Sequence, residues 1–425
     1  LKIDRLRQPS SLLPEPLRGL AKCMSKSGSA APDVDLKAQG LPRYILAGGA
    51  CVIVAVVLLG RSQGSEGDDE EGGSPFWLLW LILWGCIRLA QLIFSILLVL
   101  LIILVVRQRS IIYVPVPPGT QRSPSNNPYG YRSPATWSLP YEDAWIFTED
   151  GVRLHAWLVY QPPSKAADAE VPFTYVYFHG NAGNIGHRLQ NVSDMCKRLR
   201  INILIVDYRS YGDSEDGGGP SEAGFLVDAL ATYRWLVERI GNPPSGQQAR
   251  MSTDRLLLFG RSIGGVVAIR LMAQLLRMHL SSRETALPLP AGLVLENTFT
   301  SMSAMAVEVF PFLKLVSVLL RPPILFDEWN AVESVKFLAR HYEHWCCCLL
   351  SGLQDELVPP GQMRHLHSIL KENRPKVLKY FIFQEGGHND TPIKGGEEYW
   401  SSCQKFMDLV ATSEPERIRG RDAES

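Results

Sequence analysis

The sequence lacks an excess of charge of either sign, because Lys plus Arg and Asp plus Glu both number 43. Without a global basic field, nucleic acid is not favoured as a partner. The eight cysteines lack the regular spacing of a disulfide framework and form no Cys-x-x-Cys pair, which favours a reduced compartment. Cys346, Cys347 and Cys348 are consecutive in an apolar run and are interpreted as buried strand residues rather than metal ligands. We therefore expect no metal site at these cysteines.

Two long apolar runs lie near the beginning of the chain and predict a membrane anchor over residues 44–106. Residues 44–60 are uncharged, and 17 residues is the lower limit for a helix that crosses a bilayer. Residues 76–106 are interrupted only by Arg88 and Gln91 and begin with three tryptophans, as in an interfacial aromatic belt. An acidic, Gly-rich loop at 61–75 joins the runs. The alternative for each run is a core helix of a soluble domain.

The charges around these runs predict an orientation. Residues 1–43 form a basic, flexible tail with eight basic and four acidic residues, and basic residues also follow the second run. Because positive flanks stay in the cytosol, two transmembrane helices would make a hairpin with the tail and the C-terminal domain both cytosolic. If only the second run spans, the orientation inverts.

The remaining chain predicts an α/β domain at residues 139–410, after a Pro- and Ser-rich linker at 107–138 and before a polar tail at 411–425. Short apolar runs alternate with helical stretches, a pattern typical of a mostly parallel sheet flanked by helices. The predicted helices are 185–199, 221–240, 263–280, 363–372 and 397–410. The eight predicted strands are 145–148, 152–160, 173–178, 201–206, 255–259, 292–296, 345–351 and 379–384.

Ser262 is the candidate nucleophile of this domain. It lies in a Gly-x-Ser-x-Gly pentapeptide between Gly260 and Gly264, directly after an apolar strand and before a helical run. This context predicts a nucleophile elbow, in which a sharp, strained turn exposes the serine and leaves no space for side chains two residues away. The pentapeptide alone is modest evidence, because chance also produces it.

A serine nucleophile needs a histidine base that a carboxylate orients, and in this fold the chain order is Ser, acid, His. Asp355 follows the seventh predicted strand and His388 follows the last, so both lie where an open α/β sheet gathers functional groups. A turn cap is the alternative for Asp355, and a surface loop is the alternative for His388. Glu356 and Asp390 are the alternative acids.

The tetrahedral intermediate needs two backbone N–H groups directed at its oxyanion. We expect one from Ile263 and the other from Asn181 or Ala182, in the small-residue loop after the third strand. His179 and Asn184 are predicted to brace that loop, and residues 207–214 to form a structural bend rather than a substrate contact. Within the insertion at 297–335, the apolar residues 309–320 predict a lid, an acyl-binding wall or a packed helix.

With these residues the sequence resembles the family of alpha/beta hydrolase domain-containing protein 13 and its relatives. The resemblance covers roughly residues 112–410 and implies an alpha/beta-hydrolase fold, a triad of Ser262, Asp355 and His388, an N-terminal membrane anchor and no cofactor. It rests on six motifs in order: FHGNAGNIGHR (178–188), VDYRSYGDS (206–214), LFGRSIGG (258–265), ENTF (296–299), SGLQDELVPP (351–360) and GHND (387–390).

The sequence departs from that family in three ways. It has two apolar runs where the relatives have one anchor, Ser210 stands where a glycine is more usual, and the loops at 216–220, 241–250 and 277–290 are longer. The first departure bears on the number of membrane crossings, and the others leave the triad intact.

The function predicted from these residues is that of a membrane-anchored serine hydrolase, acting as an esterase, lipase or thioesterase. The lipid bilayer and an acyl ester or thioester are the expected partners. A peptidase of the same fold is one alternative, and a catalytically silent membrane scaffold is another.

Overall fold

The computed structural model describes residues 76–163, 170–243, 251–281, 287–311, 313–315 and 324–413. The predicted tail at 1–43, the first apolar run at 44–60 and the acidic loop at 61–75 lie outside the described residues, as do residues 414–425 of the polar tail.

The second apolar run forms a helix, α1 (Phe76–Ile112), which begins where the run begins. With a rise of about 1.5 Å per residue, 37 residues extend roughly 55 Å, more than the hydrocarbon thickness of about 30 Å. Almost all of its side chains are exposed. This helix is therefore long and apolar enough to cross a membrane by itself.

The domain is built on one sheet of eight strands in the order β1-β2-β4-β3-β5-β6-β7-β8. β2 pairs antiparallel with both β1 and β4, and the pairs from β4 to β8 are all parallel, which confirms the predicted fold class. Each strand lies within a few residues of its predicted position. The strands are β1 (Tyr141–Phe147), β2 (Arg153–Val159), β3 (Thr174–Phe178), β4 (Asn202–Val206), β5 (Leu256–Arg261), β6 (Gly292–Glu296), β7 (Cys346–Gly352) and β8 (Val377–Phe383).

Helices cover both faces of the sheet because alternate strand residues point to opposite faces. Leu256 and Leu258 of β5 pack into one apolar cluster, and Leu257 and Phe259 into the other. The helices after α1 are α2 (Leu189–Arg198), α3 (Glu222–Gly241), α4 (Ile263–Ser281), α5 (Met302–Val309), α6 (Ala331–His341), α7 (Pro360–Glu372), α8 (Thr391–Lys394) and α9 (Gly396–Ala411). Buried side chains of α3, α4, α6 and α7 belong to the first cluster, and those of α2 and α9 belong to the second.

Two apolar segments of the domain are core elements. α4 is apolar and long enough for a membrane span, but most of it is buried against the sheet, so it is a core helix. Cys346, Cys347 and Cys348 are free and buried in β7, with Cys347 on one face of the sheet and its neighbours on the other. The interpretation of the three cysteines as buried strand residues is confirmed.

Residues 207–214 form a bend after β4, and their role as structure rather than substrate contact stays a prediction. Ser210 has φ +70°, a left-handed conformation that glycine adopts at less cost. Its hydroxyl donates to a side-chain oxygen of Asp216 at 2.6 Å, a contact that glycine cannot make. The serine that replaces the more usual glycine at position 210 therefore gains a hydrogen bond within this bend. In the insertion at 297–335, residues 312 and 316–323 lie outside the described residues, so the choice between lid and packed helix stays a prediction there.

Candidate active site

Ser262 stands alone between β5, which ends at Arg261, and α4, which begins at Ile263. Its φ is +56°, the strained left-handed conformation expected at a nucleophile elbow. The backbone is fixed from both sides: Ser262 N–H donates to the Glu296 carbonyl at 3.0 Å, and the Thr298 hydroxyl donates to the Ser262 carbonyl at 2.6 Å. The end of β6 therefore holds the turn in place.

The two glycines of the elbow have no space for a side chain. A Cβ on Gly260 would lie 2.2 Å from the Gly264 carbonyl oxygen, and one on Gly264 would lie 2.1 Å from the Phe178 carbonyl oxygen. Both separations are far below van der Waals contact, so the turn closes only with glycine at these positions. A Cβ on Gly180 would lie 3.5 Å from the Ser262 Cβ, which places the loop after β3 beside the serine.

The structure brings Asp355 and His388 together. His388 Nδ1 lies 2.8 Å from one carboxylate oxygen of Asp355, Oδ2, and the two residues are only 6% and 8% exposed. The other oxygen, Oδ1, accepts the backbone N–H groups of Leu357 at 2.9 Å and Val358 at 2.8 Å. The carboxylate thus acts both as a turn cap and as the partner of the imidazole.

The two alternative acids contact backbone near His388 instead of its ring. Glu356 accepts the His388 backbone N–H at 3.4 Å, and Asp390 accepts the Gly387 N–H at 2.7 Å. Among the described residues, the Ser262 hydroxyl forms no hydrogen bond with His388. Such bonds are often long before substrate binds and tighten in the complex.

Asn297, which directly follows β6, is a positioning residue that the sequence reasoning missed. Its side-chain N–H groups donate to the carbonyls of Gly387 at 3.1 Å and His388 at 3.2 Å, and its Oδ1 accepts the Gly352 N–H at 2.8 Å. Its φ of +46° is one that asparagine tolerates better than most residues. An asparagine directly after a buried strand, in the motif ENTF, was the available signal.

We expect Asn297→Ala to lower the free energy of unfolding by about 2–4 kcal/mol, because the His388 carbonyl loses its donor, the Gly352 N–H loses its acceptor, and alanine adopts the left-handed backbone less readily. The thermal unfolding midpoint of the detergent-solubilised chain measures the effect. Asn242→Ala is the control. Asn242 is exposed at the C-terminal end of α3, and its φ of −130° is one that alanine also adopts. Equal midpoints for the two variants would contradict the positioning role.

Three backbone N–H groups near Ser262 have no acceptor among the described residues: those of Ile263, Asn181 and Ala182. The side chain of Asn181 is held at both ends. Its Oδ1 accepts the Tyr211 hydroxyl at 2.8 Å, and its Nδ2 donates to the Ile112 carbonyl at the end of α1. Gly183 N–H donates to the Val114 carbonyl at 3.3 Å. The chain that follows α1 therefore supports the loop that carries Asn181 and Ala182.

His179 and Asn184 brace this loop, as predicted. His179 is fully buried, and its Nδ1 lies 2.7 Å from the Gly180 carbonyl oxygen. Burial lowers the pKa of His179 to about 3, which favours the neutral ring near neutral pH. Asn184 Nδ2 donates to the carbonyls of Gln121 and Arg122, at 3.0 and 2.9 Å. The predicted linker is thereby bonded to the domain.

Comparison with known proteins gave relatives but no matching family model. The alpha/beta hydrolase domain-containing protein WAV2 of Arabidopsis thaliana is 34% identical over 331 residues, which cover 75% of this chain and 93% of that protein. The lysophosphatidylserine lipase ABHD12 of Rattus norvegicus is 32% identical over 256 residues, 57% of this chain and 56% of that protein. A solved structure of the Pyrococcus furiosus esterase Pf2001 matches with 20% identity and a TM-score of 0.47, covering 66% of this chain and 94% of that one.

Proposed function

The chain belongs to the family of alpha/beta hydrolase domain-containing proteins, and from that premise we propose that it is a membrane-anchored serine hydrolase. In this proposal it cleaves an ester or thioester through an acyl-enzyme on Ser262. The observation that carries the proposal is the hydrogen bond between Asp355 and His388, which lie in the loops after β7 and β8, at the edge of the sheet where Ser262 follows β5. The proposal assigns the nucleophile to Ser262, the acid to Asp355 and the base to His388, which follow one another in the chain order typical of this fold.

The proposed reaction has two halves. His388 Nε2 takes the proton of the Ser262 hydroxyl while the oxygen attacks the carbonyl carbon, and the N–H groups of Ile263 and of Asn181 or Ala182 stabilise the oxyanion. The intermediate collapses, His388 returns the proton to the leaving alcohol or thiol, and the acyl group stays on Ser262. Water, deprotonated by His388, then releases the acid. Asp355 holds the imidazole in the tautomer with the proton on Nδ1.

We propose an acylated lipid or an S-acylated protein as the substrate. Three observations support this class: the long apolar helix α1, the name of the ABHD12 relative, and exposed apolar side chains close to the site. Leu357, two residues after Asp355, is 57% exposed, and Ile393, five residues after His388, is 62% exposed. Exposed apolar groups beside a reactive centre favour contact with acyl chains.

The test is a substrate panel with the full chain in detergent. We expect a fluorophosphonate probe to label the protein, and lysophospholipids, monoacylglycerols or acyl thioesters to be hydrolysed. Hydrolysis of peptide substrates alone would favour the peptidase, and a folded chain that the probe does not label would favour the scaffold.

For the membrane we propose two transmembrane helices with the catalytic domain in the cytosol, on the basis of the basic flanks and the acidic loop at 61–75. An epitope tag after Ser425 should be removed by protease added to sealed microsomes, while a lumenal marker protein stays protected. Protection of the tag until detergent is added would reverse the orientation.

A further inference from the structure

A small cavity lies beside the candidate active site, between α2, the His388 loop and β5. Its volume is about 120 Å³, roughly ten times the space that one water molecule needs. Three of its lining residues are tied to candidate site residues: Arg261 precedes Ser262, Asn389 follows His388, and Arg188 donates a hydrogen bond to the Ala182 carbonyl. These neighbours place the cavity beside the proposed reaction centre, and its volume suits a polar head group better than an acyl chain.

Arg188 brings to this cavity a positive charge that no salt bridge neutralises among the described residues, although the buried carboxylate of Asp207 interacts with it electrostatically. No ion pair joins it to an acidic residue among the described parts of the chain, and its buried Nε has no hydrogen-bond partner there. Asp194 also lines the cavity but is not paired with Arg188. The other lining arginine, Arg261, is different, because Glu296 lies 2.5 Å from its Nε. Of the two lining arginines, Arg188 is thus the one without a salt bridge among the described residues.

An unpaired guanidinium in a partly buried site is unfavourable unless a ligand compensates it. Burial lowers the pKa of Arg188, yet a guanidinium stays protonated in proteins, so the charge remains. Its planar fork of N–H donors matches the oxygens of a phosphate group. His187 supplies a further donor: its Nδ1 accepts the Asn184 N–H at 3.1 Å, which leaves the proton on Nε2, and this ring also lines the cavity.

We propose that this cavity binds a phosphate group of the substrate, with Arg188 as the residue that selects for it. The inference rests on the proposed function and narrows its substrate class to phosphate-bearing acyl esters such as lysophospholipids. In that arrangement the phosphate lies on Arg188, the ester carbonyl lies against Ile263 and Ala182, and the acyl chain extends away from the cavity.

The decisive measurement is a ratio of two activities on the full chain. We compare kcat/KM for a lysophosphatidic acid with kcat/KM for the monoacylglycerol of the same acyl chain. Arg188→Gln should lower this ratio by about tenfold to a hundredfold, because a charge-assisted hydrogen-bonded contact is lost. Arg188→Lys should keep more of the preference. Arg364→Gln, which removes an exposed charge on α7, should leave the ratio unchanged.

Binding is tested separately from catalysis. Glycerol 3-phosphate should raise the thermal unfolding midpoint of the wild-type chain more than glycerol does, and Arg188→Gln should remove the difference. If fluorophosphonate fails to label Ser262 but this difference remains, the proposed function fails and the phosphate site stands. If the enzyme is labelled and the activity ratio is the same in wild type and Arg188→Gln, or glycerol 3-phosphate stabilises both equally, the phosphate site is wrong.

Discussion

Ser262→Ala is expected to reduce ester hydrolysis by about 10⁴- to 10⁶-fold and to abolish labelling by a fluorophosphonate probe. In the proposed mechanism the hydroxyl oxygen of Ser262 attacks the carbonyl carbon, and alanine has no group that can replace it. The residual rate would come from substrate binding and from the oxyanion N–H groups, which the substitution leaves in place. Initial rates on the best lipid substrate, with probe labelling in parallel, measure the effect.

Alanine at position 262 should preserve the fold, because the Ser262 contacts that fix the turn are made by backbone atoms. Ser401→Ala, on the exposed face of α9, is the matched control and should retain activity and labelling. Full labelling of Ser262→Ala would show that the nucleophile lies elsewhere. Hydrolysis that persists without labelling would show that the measured activity does not use a serine.

Asp355→Asn is expected to lower kcat by about 10³- to 10⁴-fold with little change in shape. The reason lies in the two oxygens of this carboxylate. Because Oδ1 accepts the N–H groups of Leu357 and Val358, the amide oxygen of asparagine must take that position, and the amide NH₂ then faces His388 Nδ1. The ring is forced to carry its proton on Nε2 and no longer accepts the proton of Ser262. Steady-state kcat, compared with the unfolding midpoint, separates this effect from instability.

Glu356→Gln and Asp390→Asn serve as matched controls, since both carboxylates contact backbone N–H groups of the same loop. Each should change kcat by no more than a few-fold. A loss in Glu356→Gln that exceeds the loss in Asp355→Asn would transfer the role of the acid to Glu356.

The sheet was predictable because each buried parallel strand is a continuous apolar run with turn residues at its end. Residues 292–296 match β6 at both ends, whereas Pro360 begins α7 three residues before the predicted helix. The elbow was predictable for a related reason, since its geometry is encoded within five consecutive residues. These features are local, and local patterns are what a single sequence displays.

The support around the site was not predictable, because it depends on contacts between distant segments. Asn297 holds a loop 90 residues further along the chain, and Asn181 contacts Ile112, which is 69 residues earlier. The choice of Asp355 over Glu356 depends on which side chain the turn directs at the imidazole. Whether Arg188 forms a salt bridge depends on which side chains the fold brings near it, and the spacing of residues in the sequence does not show this.

The contact between Asn181 and Ile112 limits how this protein can be made soluble. The last turns of α1 are bonded to the domain: Arg109 pairs with Asp327 at 2.9 Å, and Gln108 donates to the Ile324 carbonyl at 3.0 Å. A chain cut at residue 139, the predicted start of the domain, loses these bonds and the four carbonyls that hold the loop of Asn181, which belong to Ile112, Val114, Gln121 and Arg122. A soluble version should therefore keep residues from Gln108 onward and replace only the apolar side chains before it.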